Sequence, residues 1–238
     1  MAIMNQSGTV GPEHGGSVSV WQHDLSTGDG GSVTAVGGAA KRTLDILLAG
    51  CVLIVLSPLF LFVAGAIRLS GAGPALYGHE RVGLGGRKFH CLKFRTMHVE
   101  GDRILAAHLA RFPEAQAEWQ ERRKLRNDPR VTPLGRILRE YSVDELPQLL
   151  NVLRGDMSLV GPRPVVEAEL SRYGAAAEHY LVARPGITGL WQVSGRSDTG
   201  YAERVDFDVR YVARWSLVGD VLILLRTIPA VLGARGSY

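Results

Sequence analysis

The residues best suited to chemistry form an acidic pair, Asp144-Glu145, followed downstream by an arginine framed by prolines in Gly161-Pro162-Arg163-Pro164. Adjacent carboxylates have two uses. Ser142-x-x-Glu145 matches a capping box, in which the acid reaches back to the start of a helix, and acids suit the positive end of a helix dipole. Alternatively, one carboxylate attacks a phosphorus as a nucleophile. The neighbouring residues favour the second use. Prolines fix the backbone on either side of Arg163, and a guanidinium can fork two phosphate oxygens. Lys93 and Arg95, in KFRTM, alternate with apolar positions and so share one side of a strand. A third basic stretch, RPGITGLWQVSGR, brings glycine turns, Trp191 and the terminal Arg196. Its tryptophan can stack on a base or simply pack in a turn. Together these groups suit a phosphate diester or diphosphate. A divalent cation, Mg²⁺ by this donor chemistry, would bring the anions together.

These side chains need elements to position them. ALYGHERV and RKFHCLKFRTM read as two extended segments joined by Gly83, Gly85 and Gly86, a hairpin pattern. The GLGG turn lacks the spacing of a dinucleotide or P-loop fingerprint. Gly101 to Arg126 has helical composition, interrupted at Pro113. Near the C-terminus, Asp206 to Leu232 mixes Arg210, Tyr211, Arg214 and Trp215 with an apolar run. Such helices lie in a membrane plane with Trp and Arg at headgroup level, or pack as core helices, or do both on opposite faces. Asp220 and Arg226 make this run a poor membrane span.

The greasiest stretch is Leu44 to Ile67, with Asp45 its only charge. As one helix it would be about 36 Å long, enough for a hydrocarbon core of about 30 Å. Yet Ser57-Pro58 sits at its middle, and basic residues flank both ends: Lys41 and Arg42 before, Arg68 after. Positive charge marks the cytoplasmic side. The pattern therefore predicts a helix that enters, breaks at Ser57-Pro58 and returns, rather than a kinked span. The Ser57 hydroxyl is placed to bond the carbonyl that Pro58 frees.

Composition sets the remaining bounds. The chain has 238 residues, a net charge of +4 and a pI near 9.3. The first forty residues are rich in Gly, Ser and Thr and read as a disordered tail. Cys51 and Cys91 form neither a metal motif nor a disulfide framework, which suits a reducing compartment. The basic residues sit in short loops and beside the apolar run, without a recognition helix, so no nucleic-acid partner is expected.

KFRTM, SVDELPQLLNVLRGDMSLVGPRP and RPGITGLWQVSGR, following a broken apolar helix, resemble the bacterial sugar transferases, the monotopic phosphoglycosyl transferases. The likeness runs from about Lys41 to the C-terminus. It is greatest to the short, catalytic-only members that initiate exopolysaccharide assembly. The resemblance implies a helix-dominated α+β fold: a disordered tail over 1–40, a re-entrant membrane helix over 41–70, and a cytosolic catalytic domain over 71–238. That domain would carry a short β-hairpin and interfacial amphipathic helices, on the cytoplasmic face of the bacterial inner membrane. The implied reaction moves a hexose-1-phosphate from UDP-galactose or UDP-glucose to undecaprenyl phosphate and releases UMP. Asp144 matches the nucleophile and a Mg²⁺ ligand, and Glu145 its dyad partner. Arg163 matches the phosphate-binding arginine, with Lys93, Arg95 and Arg196 as further substrate contacts. Ser57-Pro58 matches the helix break. Membrane lipid is an implied partner, and a homodimer is left open. The rival reading is a non-catalytic membrane scaffold that binds nucleotide sugar or an assembly partner, but a degenerate copy would be expected to lose Asp144 first.

Overall fold

The computed structural model describes residues 34–71, 73–122, 124–194 and 200–232; most of the predicted tail lies outside them. The chain begins with two helices, α1 (Gly38–Val55) and α2 (Ser57–Leu69), bent by 63° at Leu56. Pro58 opens α2, where its missing N–H costs nothing. It cannot donate to the Ile54 carbonyl, and the Ser57 hydroxyl donates to that oxygen at 2.8 Å, as expected. Among the described residues no single helix is long and apolar enough to cross a membrane, but this bent pair is when taken together.

Next comes the predicted hairpin, β1 (Leu76–Val82) antiparallel to β2 (Lys88–Phe94), with Val82 opposite Lys88 and Leu76 opposite Phe94. Gly85 and Gly86 turn the chain at positive φ, so this glycine loop is a turn. Helices α3 (Gly101–Arg111) and α4 (Pro113–Arg122) divide at Pro113 as anticipated. Then follow α5 (Pro133–Glu140), a single 3₁₀ turn over Val143–Glu145, and the short α6 (Gln148–Arg154). Strand β3 (Ser158–Val160) pairs in parallel with β4 (Gly186–Thr188). Between them lie α7 (Glu167–Leu170) and α8 (Ala177–Leu181). The chain continues through α9 (Leu190–Ser194), α10 (Tyr201–Ala213) and α11 (Leu217–Leu232).

The charges at the start of α1 are not solvated flanks. The Lys41 ammonium makes a buried 2.6 Å ion pair with Asp220 of α11. Asp220 also accepts from the Trp215 indole at 3.0 Å and lies 2.8 Å from the Tyr211 hydroxyl. Arg42 donates to the Val152 and Leu153 carbonyls at the end of α6. Asp45 accepts from the Ser158 hydroxyl and the Leu159 amide at the start of β3. The first turns of α1 thus belong to the folded core. For Trp215 the core alternative holds over headgroup placement, since its indole, like the Tyr211 hydroxyl, serves an internal network.

Beyond those turns α1 and α2 present a wide apolar surface, with Ile54 76% and Phe62 74% exposed. Helix α11 has one packed face and one open face. Ile223 packs into the cluster around Ala49 and Met157, while Leu222, Leu225 and Ile228 face outwards.

Candidate active site

Helix α5 lies directly on the end of β2. Thr132 caps it, its hydroxyl accepting from the Gly135 amide at 2.9 Å, and Pro133 fixes its first turn. A Cβ at Gly135 would stand 2.1 Å from the Thr96 carbonyl, so only glycine permits this approach. Arg139 then donates to the Thr96 hydroxyl at 2.9 Å. The chain reverses at Ser142, φ 55, the one non-glycine residue at positive φ among the described residues. Such a conformation costs of order 1–3 kcal/mol and is concentrated at functional sites. It also overturns the capping-box expectation. Ser142 makes no side-chain cap; it turns the 3₁₀ segment so that Asp144 is buried and Glu145 is only partly covered.

Around the dyad the charges are arranged in a definite order. Lys93 of β2 meets Glu145 in a 2.6 Å ion pair at the rim. Burial opposes the lysine's charge, but Glu145 and Asp144 outweigh it and raise its pKa. Burial pushes the Asp144 carboxyl up to about 6. Lys93 and Arg139 pull it down, while Glu145 adds to the rise. At neutral pH Asp144 is therefore mostly ionised, partly desolvated and faced by two cations. That is the state an attacking carboxylate needs.

The loop that carries Arg163 is clamped on both sides. The Gly161 amide donates to Thr188 and the Gly186 amide to Pro162, closing it onto β4. A Cβ at Gly161 would come within 2.3 Å of the Arg184 carbonyl. On the other side, the Val82 amide donates to the Val165 carbonyl, and the buried Tyr180 hydroxyl bridges the same two residues. Beneath the loop lies Asp208 of α10, bonded by the Tyr173 hydroxyl at 2.9 Å. Burial pushes the Asp208 carboxyl up to about 7, against the pull of Tyr173 and of the Arg163 amide and guanidinium. The Arg163 side chain points outwards, 3.8 Å from Glu169.

A link between the two halves appears at Lys124. Burial, and then the like charges of Arg163, Arg204 and Arg139, press its ammonium below the ordinary lysine value. These four cations share one neighbourhood, and Arg139 also acts on Asp144. Concentrated positive charge beside an ionised carboxylate suits a diphosphate. Neither Lys124 nor Asp208 carried a sequence signal; one lies in the charge-rich stretch after α4, the other within an amphipathic repeat. Arg204 sits over the Trp191 ring at 5.0 Å.

The structure groups the predicted residues unequally. Asp144, Glu145 and Lys93 form one constellation. Arg163 lies on the adjoining loop. Arg95 instead donates to the Gly71 carbonyl at 3.3 Å, beside the loop after α2. Arg196 lies outside the described residues. For Mg²⁺, no group of three or more His, Cys, Asp or Glu side chains gathers among the described residues. The adjacent Asp144 and Glu145 fit an ion shared with substrate phosphates, as Mg²⁺ usually is, but not an all-protein cage.

Comparison with known proteins identifies the family. Residues 36–234 match the family model described as bacterial sugar transferase. The chain is 56% identical over 208 residues to the exopolysaccharide production protein ExoY of Sinorhizobium fredii, covering 87% of this chain and 92% of that one. It is 52% identical over 198 residues to the undecaprenyl-phosphate galactose phosphotransferase of Salmonella typhimurium, covering 83% of this chain and 41% of that one. It is 46% identical over 207 residues to the UDP-glucose:undecaprenyl-phosphate glucose-1-phosphate transferase of Caulobacter vibrioides, covering 83% and 72%. With nearly its whole length matched and a dyad, a basic neighbourhood and a broken apolar helix in place, the chain belongs to the bacterial sugar transferase family.

Proposed function

We propose that this chain initiates exopolysaccharide synthesis by transferring a hexose-1-phosphate from a UDP-sugar to undecaprenyl phosphate. The observation that carries the reading is the Asp144 carboxylate, buried, ionised above about pH 6 and faced by Lys93 and Arg139. An Asp144 oxygen attacks the phosphorus that bears the sugar. The bond to the bridging oxygen breaks, and UMP leaves with the electron pair. The resulting aspartyl phosphosugar is then attacked at phosphorus by the acceptor's phosphate oxygen, which regenerates Asp144 and yields the lipid diphosphosugar. Lys93 holds Glu145 at the rim, and Arg163 receives phosphate oxygens from its clamped loop. Mg²⁺ held by Asp144 and Glu145 with the substrate phosphates would neutralise charge in the transition state. The names of similar proteins favour galactose or glucose as the sugar.

The bent helix pair supports a re-entrant insertion in which α1 and α2 enter and leave the same leaflet of the inner membrane. The catalytic core then lies on the cytoplasmic face, where nucleotide sugar and lipid phosphate meet. The test is UMP release by purified protein with Mg²⁺ and undecaprenyl phosphate, using UDP-galactose, UDP-glucose and their N-acetyl counterparts. Asp144→Asn serves as control, and intact mass reports a hexose phosphate on the wild-type chain. Release that survives Asp144→Asn overturns the assigned nucleophile. No release with any donor, from folded protein in lipid, counts against the reaction.

A further inference from the structure

Between α2 and the start of β1 runs an open groove of about 490 Å³. Phe60, Ala64 and Leu76 make its lining almost wholly apolar, and Arg68 is its one cation. Its size falls in the range of small-molecule sites. One wall is the outgoing half of the bent helix pair, so the groove opens onto the surface proposed to meet lipid. The other wall, at Ala75 and Leu76, is part of a packed apolar cluster that reaches the residues flanking the dyad. Phe60 packs on Phe94 with ring centroids 4.8 Å apart, and the same apolar cluster takes in Val143 and Leu146, which bracket Asp144-Glu145. Backbone hydrogen bonding ties the rim to β2, with the Arg95 amide donating to the Ala75 carbonyl at 2.8 Å. Two residues earlier on that strand, Lys93 holds Glu145.

We infer that this groove receives the isoprenoid chain of the acceptor lipid near its phosphate, with Arg68 at its mouth. The inference rests on the acceptor reading above and locates that acceptor. An anionic phosphate that must reach Asp144 from a bilayer trails an apolar chain. Four of the groove's lining residues, Phe60, Ala64, Ala75 and Leu76, belong to the same packed apolar cluster as Val143 and Leu146 beside the dyad. The groove's one charge, Arg68, like that of Lys93 on β2, has the sign a phosphate needs. An ordinary phospholipid acyl chain is the competing occupant.

Gly65 lines the groove, and a Cβ there meets nothing within 4 Å. Gly65→Leu should therefore fill the groove without disturbing the fold. Gly50 of α1 is equally open and lies outside the groove, which makes Gly50→Leu the control. In nanodiscs, single-turnover UMP release from UDP-sugar without acceptor should stay within twofold for both variants. The KM for undecaprenyl phosphate should rise at least tenfold for Gly65→Leu alone. An unchanged acceptor KM, or equal loss in both half-reactions, overturns the inference.

A second measurement is independent of turnover. A photoreactive short isoprenyl phosphate should label residues 60–76, and undecaprenyl phosphate should compete where phosphatidylglycerol does not. Equal competition by phosphatidylglycerol makes the groove a general lipid contact and overturns the inference. Labelling with the expected competition, but with no UMP released from any donor, would leave the groove standing and remove the proposed reaction.

Discussion

Two lysine–carboxylate pairs in this molecule have the same 2.6 Å separation and opposite settings. Lys41–Asp220 joins α1 to α11 with side chains 7% and 1% exposed. Lys93–Glu145 sits at the rim of the dyad with side chains 34% and 37% exposed. The first pair is enclosed, and Asp220 has further partners in Trp215 and Tyr211. Removing one member leaves a buried charge with nothing to neutralise it. The second pair keeps access to water, so its contribution to folding is small. Its value is positional and electrostatic, because it places a cation beside Asp144. Length alone says nothing about what an ion pair does; burial and neighbours decide whether it holds the fold or prepares the chemistry.

The sharpest way to test this contrast begins with the proposed nucleophile. Asp144→Asn should lower UMP release by at least about 10⁴-fold while leaving the melting transition in place. Ionising Asp144 is harder in the folded protein than in the unfolded chain. Its contribution therefore makes stability fall as pH rises from about 4 to about 6, and Asp144→Asn should remove that slope in denaturation curves.

Next in size, Lys41→Met should cost about 3–5 kcal/mol of stability, read by denaturant unfolding in detergent. A combined Lys41→Met and Asp220→Asn should recover part of it. If Lys41→Met melts like wild type, the anchoring role given to the first turns of α1 is wrong.

Lys93→Met should reverse the pattern, changing stability by about 1 kcal/mol or less but kcat/KM by about 10²-fold. Wild-type activity should fall about tenfold per pH unit below about 6 as Asp144 protonates. Loss of the Lys93 charge should move that acid limb to higher pH, since one of the two cations lowering the Asp144 pKa is gone. A limb that stays put would show that Lys93 does not act on Asp144.

The smallest effect belongs to Asp208→Asn, which should raise the donor KM about three- to tenfold through looser placement of the Arg163 loop. Its kcat should change less than its KM, as steady-state kinetics will show.

Sequence made the local features legible and hid the distant ones. The helix break could be read because Ser57, Pro58 and the Ile54 carbonyl lie within one turn. The hairpin and the split at Pro113 were equally local. Lys41 and Arg42 could be read only as flanking charge, because their partners lie on α11 and at the end of α6, far along the chain. Ser142 fitted a capping pattern that records residue types but not φ. The parallel pair β3–β4 was invisible because three-residue strands show no periodicity. For the site, the dyad and Arg163 stood out by type and spacing. Asp208 and Lys124 did not, because what matters is burial in the one and like-charged neighbours in the other, which only the folded chain creates.

The anchoring of α1 has a mechanical consequence. A membrane helix joined to a catalytic unit by a loose linker can tilt to meet a thicker or thinner bilayer while the enzyme stays level. Here Lys41, Arg42 and Asp45 join the base of α1 to α11, α6 and β3, and no linker separates the part proposed to enter the membrane from the carboxylate proposed to react. The helix acts as a fixed keel. Any change in how deep it rides must lift or lower Asp144 by the same amount relative to the lipid phosphates.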